Sequence, residues 1–184
     1  MKTWPKSGPE NTAATVEAAV ARAKELGIKR VVVASNTGET ARRFAGQGLE
    51  VVCVTHQVGF RGPNVDEMPP ETRREFAAQG IKVLTTTHLF RGVARGFINA
   101  HQGFDVGRIV ADTLYLFGQG TKVAVEVAVM ALDAGLVPYG EDIIAVGGTG
   151  RGADTALVMR PAYSGEFLKT RIHEIICKPW ETGK

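Results

Sequence analysis

The stretch Ile143-Ile144-Ala145-Val146-Gly147-Gly148-Thr149-Gly150-Arg151-Gly152-Ala153-Asp154-Thr155 joins an apolar run to a glycine-rich loop. A continuous apolar run such as Ile143 to Val146 predicts a strand that is covered on both faces. The glycines that follow let the backbone approach a ligand closely. Threonine hydroxyls and the Arg151 guanidinium add donors that suit phosphate or carboxylate oxygens. The stretch therefore predicts a strand followed either by an anion-binding loop or by a plain turn.

An apolar strand followed by a polar turn and a helix recurs along the chain. Strands are predicted over 30–34, 50–55, 82–87, 142–146, 155–160 and 172–178. Helices are predicted over 11–27, 71–79, 106–117 and 122–134. Asp105 and Thr121 are the predicted caps of the last two, and Asn36 with Glu39 resembles the capping pair of a further helix. The segment 89–104 fits either a mobile loop or a short helix. This alternation predicts a mostly parallel sheet with helices on both faces.

Length, composition and charge indicate one globular domain over residues 1–184. Of the 184 residues, 44% are hydrophobic and 22% are charged, which is typical of a globular protein with a sizeable core. We expect a cytoplasmic protein without a membrane partner, because no apolar run could span a bilayer and Met1–Lys6 lacks a signal-peptide core. The net charge of +3 is scattered, so no nucleic acid partner is predicted. Cys53 and Cys177 lie in apolar runs, which favours buried thiols.

Two polar loops, Ser35–Thr40 and Gly147–Thr155, each follow a predicted strand directly. In open α/β sheets, ligands bind beyond the carboxyl ends of the strands, where the strand order reverses. If the two strands are neighbours, both loops face one crevice. An anion site competes with ordinary helix capping by the hydroxyls of the first loop. In the second loop it competes with an ion pair between Arg151 and Asp154.

Five blocks of the chain resemble the carboxy-terminal α/β domain of pyruvate kinase, and more closely a family of stand-alone archaeal and bacterial proteins built on that domain. The blocks are V-V-V-A-S-N-T-G-E-T-A (31–41), V-V-C-V-T-H-Q-V-G-F (51–60), K-V-L-T-T-T-H (82–88), V-A-V-M-A-L-D-A-G-L-V-P-Y-G-E-D-I-I-A-V-G-G-T-G-R-G-A-D-T-A (127–156) and E-I-I-C-K-P (174–179). The resemblance implies a three-layer α/β/α sandwich with strand order 3-2-1-4-5, a late antiparallel strand and an added terminal strand. We expect no pyruvate kinase activity, because the catalytic barrel of about 250 residues is absent from this chain.

In some pyruvate kinases this domain binds a sugar bisphosphate effector between a Ser/Thr-rich turn and a glycine-bearing loop. The resemblance and the loop sequences place phosphate-binding residues at Ser35, Asn36, Thr37, Gly38, Thr40, Gly147, Gly148, Thr149, Gly150, Arg151 and Gly152. We therefore expect a phosphorylated, mononucleotide-like ligand, with FMN as the specific candidate, in a regulatory or cofactor-binding role. Two alternatives stay open: an enzyme of unassigned reaction that uses the same crevice, and a structural module that forms homo-oligomers.

Further residues near strand ends are expected to line the crevice: Thr55, His56, Gly59, Phe60, Thr86, Thr87 and His88. His56 and His88 are candidates for acid and base, against the alternative of loop histidines bonded to backbone. The long loop 56–70 is a candidate lid. No metal site is predicted, because no carboxylate or cysteine lies at ligand spacing from the histidines. Glu126, within an apolar helix, is expected to turn outward and pair with Lys122 rather than stay buried.

Overall fold

Strands and helices alternate through most of the chain, as the apolar pattern predicts. The computed structural model describes residues 1–181, so residues 182–184 of the predicted domain lie outside the described part. The strands are β1 (Lys2–Lys6), β2 (Arg30–Ala34), β3 (Glu50–Thr55), β4 (Lys82–Thr85), β5 (Ile143–Gly147), β6 (Thr155–Arg160) and β7 (Arg171–Glu181). The α-helices are α1 (Thr12–Leu26), α2 (Glu39–Arg42), α3 (Pro70–Ala78), α4 (Gly92–His101), α5 (Val106–Tyr115) and α6 (Gln119–Asp133). Short 3₁₀ segments occupy Pro9–Asn11 and Ser164–Lys169.

All seven strands form one sheet in the order β1-β7-β6-β5-β2-β3-β4. The run β5-β2-β3-β4 is parallel, and β6 is antiparallel to β5 and to β7. The predicted order 3-2-1-4-5 is confirmed, with β6 as the late antiparallel strand and β7 as the added terminal strand. β1, which pairs in parallel with β7, is not predicted from the sequence. Its sequence Lys-Thr-Trp-Pro-Lys carries two charges and a proline, so only the contact with β7 makes it a strand.

The alternation of side chains along β2 assigns the helices to the two faces of the sheet. Val31 and Val33 belong to a core that includes buried residues of α1, α2 and α3. Val32 belongs to a second core, on the opposite face, that is built largely from α6. Both faces are therefore covered, which explains why the strands are continuous apolar runs. The predicted three-layer α/β/α arrangement is confirmed.

The ends of the helices test the two predicted caps and the prediction left open for residues 89–104. Asp105 caps α5 as predicted, because its carboxylate accepts a hydrogen bond from the Arg108 amide at 3.0 Å. The segment 89–104 contains the helix α4. Thr121 does not cap α6: the helix begins earlier, at Gln119, and the Thr121 hydroxyl donates to the Phe117 carbonyl at 3.1 Å. Within residues 1–181, no helix is both long and apolar enough to cross a membrane.

Both cysteines are buried, as their apolar surroundings predict. Burial raises the pKa of the Cys53 thiol to about 12 and the pKa of the Cys177 thiol to about 11. Since the thiolate is the reactive form, both side chains act as apolar core residues at neutral pH.

Candidate functional site

A cavity of about 630 Å³ lies beyond the carboxyl ends of β2, β3 and β5. The loops after β2 and β5 form one side, and residues of α4, α5 and the first turns of α6 form the other. The two polar loops therefore meet at a single cavity. The sequence-predicted residues that line it are Ser35, Asn36, Thr37, Thr40, Thr55, His56, Phe60, His88, Gly148, Gly150, Arg151 and Gly152.

The remaining sequence-predicted residues lie outside the cavity lining: Gly38, Gly59, Thr86, Thr87, Gly147 and Thr149. Two of these, Gly38 and Gly147, are buried behind it, where a side chain would collide with α3 and α6 respectively. Thr86 and Thr87 are exposed, because β4 ends at Thr85 and the predicted strand over 82–87 is shorter than expected.

The turn after β2 is organised by Ser35, not by the predicted Asn36–Glu39 capping pair. The Ser35 hydroxyl accepts hydrogen bonds from the amides of Thr40 at 3.2 Å and Ala41 at 3.4 Å. Gly38 occupies the N-cap position of α2, and the Ser35 hydroxyl satisfies two amides of its first turn, so the capping alternative for this hydroxyl is confirmed. The Asn36 side chain instead turns toward β3, where its Oδ1 accepts a hydrogen bond from the backbone amide of His56 at 2.9 Å. Thr37 is exposed at the cavity edge.

The glycine-rich loop after β5 is held by the buried carboxylate of Asp154. This carboxylate accepts hydrogen bonds from the amides of Gly8 at 3.3 Å and Thr149 at 3.2 Å, and from the Thr155 hydroxyl at 2.8 Å. The Trp4 indole donates to the Asp154 carbonyl at 2.9 Å. β1 and the turn after it therefore hold the loop in place. The sequence of the loop alone does not predict these contacts.

The predicted alternative of an Arg151–Asp154 ion pair is wrong. Asp154 is fully buried with its oxygens already bonded, whereas Arg151 is exposed at the cavity. Within the described residues 1–181, the Arg151 side chain has no carboxylate within ion-pair distance. Its guanidinium is therefore available to an anion in the cavity.

Close packing against the turn before α1 explains why residue 152 is a glycine. Its φ is +67°, and a Cβ there would lie 2.8 Å from Cα of Pro9. The amide of the next residue, Ala153, donates to the Thr12 hydroxyl at 3.0 Å. The 3₁₀ turn Pro9–Asn11 and the first residue of α1 thus fix the backbone of the loop, and Gly148, Gly150 and Arg151 lie at the cavity.

His56 forms a hydrogen-bonded dyad with Glu67, a residue that the sequence did not single out. Nδ1 of His56 lies 2.6 Å from Oε1 of Glu67, and the Asn36 side-chain amide donates to Nε2 at 3.3 Å. Because Asn36 donates to Nε2, the proton of the neutral ring resides on Nδ1 and is donated to Glu67. A carboxylate orients an imidazole in this way in general base catalysis, where Nε2 is the basic atom; in His56 that atom accepts from Asn36, so the Asn36 amide would have to give way to a substrate proton.

Aromatic rings extend the site from His56. Phe60 stacks on the His56 ring with centroids 3.8 Å apart, and the Arg91 guanidinium lies 4.9 Å from the Phe60 centroid. His88 lies 5.2 Å from His56, ring to ring, as the neighbouring strand ends predicted. Burial lowers the pKa of His88; the Glu126 carboxylate opposes this shift, and the Lys122 ammonium adds to it. The buried position of His88 therefore favours its neutral form.

Glu126 is buried, not turned outward. The expected pair with Lys122 is present at 2.5 Å, but both side chains are almost inaccessible to solvent. The second carboxylate oxygen accepts a hydrogen bond from the Phe90 amide at 3.0 Å. Lys122 also lies over the rings of Phe90 and Tyr115, at 5.5 and 6.0 Å. The pair lines the cavity and places a buried ammonium group at its inner wall.

The helical side of the cavity carries most of the residues that were not predicted. Arg91, Arg95, Arg108, Asp112 and Tyr115 all line it. Arg91 and Arg95 lie in the segment 89–104 that the sequence left open, whereas Arg108, Asp112 and Tyr115 lie on α5, a helix that the sequence predicted over 106–117. Arg95 Nε is buried without a hydrogen-bond partner in the part of the chain that the structure describes, so it is one more donor at the cavity. The arginines in glycine-rich surroundings were the only available sequence signal.

Loop 56–70 is anchored to the sheet. Arg73 on α3 donates to Asp66 at 2.7 Å and to the Thr85 hydroxyl at 2.8 Å, and Met68 is buried in the core. The predicted lid is therefore tied down at its second half, whereas Phe60 and Arg61 near its first half line the cavity. Among residues 1–181, no three His, Cys, Asp or Glu side chains gather as metal ligands would.

Residues 13–159 match the sequence profile of the family described as pyruvate kinase, alpha/beta domain. The chain belongs to this family. Similar solved structures include a pyruvate kinase from Cryptosporidium parvum, with 19% identity and a TM-score of 0.42 over 85% of this chain and 23% of that chain. Another is the Cryptosporidium parvum pyruvate kinase in complex with ADP, with 19% identity and a TM-score of 0.42 over 85% of this chain and 24% of that chain. The chain spans about a quarter of the length of these kinases.

Proposed function

We propose that this α/β domain binds a phosphorylated small molecule of mononucleotide size, with FMN as the specific candidate, in the cavity between loops 35–40 and 147–155. The observation that carries the proposal is the Arg151 guanidinium, which has no carboxylate partner among residues 1–181 and lies on the glycine-rich loop that Asp154 holds in place. Such a position favours bidentate contact with phosphate. The first turn of α6 also borders the cavity, so the positive end of its helix dipole favours an anion there.

The rest of the cavity suits the organic part of such a ligand. Its volume of about 630 Å³ falls within the range usual for small-molecule sites. The His56–Phe60 stack offers a flat surface to an aromatic ring system, and Lys122 and Arg95 offer donors to ring or sugar oxygens. A regulatory or cofactor-binding role for the bound ligand completes the proposal.

The phosphate contact is tested by substituting Arg151 with alanine. We expect the affinity for FMN to fall about 10- to 100-fold, because a charge-assisted hydrogen bond contributes roughly 1.5–3 kcal/mol. Riboflavin, which lacks the phosphate, should bind weakly and equally to both proteins. Quenching of flavin fluorescence measures all four affinities. Arg74→Ala, an exposed arginine on α3 outside the cavity lining, is the matched control and should bind FMN as the wild type does.

The possible outcomes test the role of Arg151 and the class of ligand separately. Equal FMN affinity for wild type and Arg151→Ala would refute the role of Arg151. Failure of the wild type to bind either FMN or inorganic phosphate, measured by calorimetry, would refute the ligand class. Mass spectrometry of compounds released from the purified protein names the natural ligand directly.

A second candidate function, an enzyme acting on the phosphorylated ligand, is favoured by the His56–Glu67 dyad. If the ligand released from the protein is converted on incubation, Glu67→Gln and His56→Gln should slow that conversion about 10²- to 10⁴-fold, the usual contribution of a positioned general base. Chromatography of the reaction mixture measures the rate. His173→Gln, an exposed histidine that pairs with Asp142, is the control. Conversion at the wild-type rate in both dyad variants would contradict this function.

A further inference from the structure

The buried carboxylate of Asp154 connects the beginning of the chain to the glycine-rich loop. Its Oδ2 accepts one hydrogen bond from the Gly8 amide at 3.3 Å and another from the Thr149 amide at 3.2 Å. Its Oδ1 accepts a hydrogen bond from the Thr155 hydroxyl at 2.8 Å. A fully buried carboxylate that loses a donor is penalised, because water cannot replace the lost hydrogen bond. The positions of the Gly8 and Thr149 amides therefore depend on each other.

Three consecutive residues of the loop also contact residues 2–12, which we call the N-terminal segment. These contacts are Gly152 packed against Pro9, the Ala153 amide donating to the Thr12 hydroxyl at 3.0 Å, and the Trp4 indole donating to the Asp154 carbonyl at 2.9 Å. The segment lies outside the cavity lining, so it acts on the loop from the side opposite to a ligand.

The glycine-rich loop has little structure of its own. Gly150 and Gly152 have φ values of +75° and +67°, and glycine populates both signs of φ about equally. Two backbone hydrogen bonds close the loop internally, at 2.9 and 3.2 Å. The conformation that places Arg151 at the cavity is therefore selected largely by the contacts with the N-terminal segment.

β1, the strand within the N-terminal segment, is attached to the sheet at one edge only. It pairs with β7 alone, and four of its five residues are exposed. Trp4 is the exception, since it packs against the core that contains α1. Elements with few buried side chains open at lower free energy than core strands. β1 also lies outside residues 13–159, so its contact with the loop is not part of the family match.

We propose that the N-terminal segment positions the glycine-rich loop, with Thr12 and Asp154 as positioning residues, and that its docking and anion binding at Arg151 stabilise each other. The statement about the anion rests on the ligand site proposed above, whereas the positioning of the loop does not. Coupling of this kind is reciprocal: docking raises the affinity for the ligand by the factor by which the ligand favours docking. The segment is thus a place outside the cavity from which ligand affinity is controlled.

Limited digestion with trypsin tests the positioning of the loop without any ligand. Arg151 is exposed, so trypsin can cleave the bond to Gly152 when the loop opens. Thr12→Val keeps the shape of the side chain but leaves the buried Ala153 amide without its acceptor. We expect cleavage after Arg151 to become about 5- to 100-fold faster, the factor for one unpaired buried donor. Thr15→Val, at a buried threonine on the same helix whose hydroxyl does not bond the loop, is the matched control and should keep the wild-type rate.

An internal reference separates positioning from general stability. Lys169 is exposed in the 3₁₀ segment before β7, outside both the loop and the N-terminal segment. Cleavage after Lys169 should have the same rate in all three proteins. Equal cleavage after Arg151 in Thr12→Val and Thr15→Val would overturn the proposal. Faster cleavage after both Arg151 and Lys169 in Thr12→Val would also overturn it, because the effect would then be a loss of general stability.

The indole donor supplies a second pair of variants. Trp4→Phe keeps a ring against the core but removes the hydrogen bond to the Asp154 carbonyl. Cleavage after Arg151 should become about 3- to 10-fold faster, because a partly exposed hydrogen bond contributes less than a buried one. Trp180→Phe, at a tryptophan on β7 that is 75% exposed, is the control. Equal rates in these two variants would overturn the role of β1.

Hydrogen exchange of the Gly8 amide, followed by NMR, measures the coupling to the ligand. Gly8 is outside the cavity lining, so FMN does not shield it directly. At an FMN concentration of about ten times the wild-type Kd, exchange should slow roughly tenfold in the wild type and less than about twofold in Arg151→Ala. FMN binding that leaves Gly8 exchange unchanged would overturn the coupling but not the ligand site. A wild type that binds no FMN would refute the ligand site and the coupling, whereas faster loop cleavage in Thr12→Val would still support the positioning of the loop.

Discussion

Lys122→Met is expected to lower the free energy of unfolding by about 3–5 kcal/mol. The substitution keeps the length and apolar stem of the side chain but removes the charge that Glu126 faces at 2.5 Å. Glu126 is 2% exposed, so its carboxylate would be left without a counter-charge and with little access to water. Removal of one partner of a buried ion pair typically has this magnitude, since the desolvation of the other charge is no longer offset. Urea denaturation at neutral pH measures the change.

A control with the same sequence spacing isolates burial as the cause. Arg108 and Asp112 also form an i, i+4 pair on a helix, but both side chains are about half exposed. Arg108→Met should therefore change stability by less than about 1 kcal/mol. The double variant Lys122→Met/Glu126→Gln should recover part of the loss, because no unpaired charge stays buried. A Lys122→Met protein as stable as Arg108→Met would show that water reaches Glu126 through the cavity.

The contrast between these two pairs shows where the sequence is insufficient. Lys122–Glu126 and Arg108–Asp112 have the same spacing, and the sequence predicted an outward pair for the first. Burial is decided by Phe90, which contacts the pair from 32 to 36 residues away in the chain. Local periodicity cannot report a contact of that kind, because the helix is apolar on the faces beside Glu126 as well.

The strands were predictable because their burial, unlike that of the Lys122–Glu126 pair, can be inferred from the local sequence. Val31, Val32 and Val33 form a continuous apolar run, and such a run already implies that both faces of the strand are covered. The two loops at the strand ends follow directly from strand order, which the resemblance supplied. The support of the glycine-rich loop was not predictable, because Asp154 bonds Gly8 across 146 residues and Glu67 reaches His56 only after loop 56–70 folds back.

Gly147→Ala is expected to destabilise the protein by about 3 kcal/mol or more. A Cβ at this position would lie 2.3 Å from the Gly120 carbonyl oxygen and 2.9 Å from the Ala124 amide nitrogen. Both atoms belong to the backbone of α6, so no side-chain rotation relieves the contact, and α6 would have to shift away from β5. Insertion of one methyl group into a well-packed core typically costs about 1–3 kcal/mol, and rigid backbone neighbours place this case at or above the upper end.

Three glycines distinguish a steric cause from a conformational one. Gly147 lacks a positive φ, so alanine fits its backbone and the loss in Gly147→Ala comes from the collision with α6. Gly150 has a φ of +75° and open space around it, so Gly150→Ala should lower the free energy of unfolding by only about 1–2 kcal/mol, through backbone strain. Gly165 has neither constraint, and Gly165→Ala should be neutral within about 0.5 kcal/mol. Urea denaturation of the three variants gives the order of their losses in stability. A smaller loss for Gly147→Ala than for Gly150→Ala would contradict the close approach of β5 and α6.

The approach of β5 to α6 also positions the start of the glycine-rich loop. Gly147→Ala should therefore bind FMN more weakly than Gly165→Ala if the cavity is the ligand site.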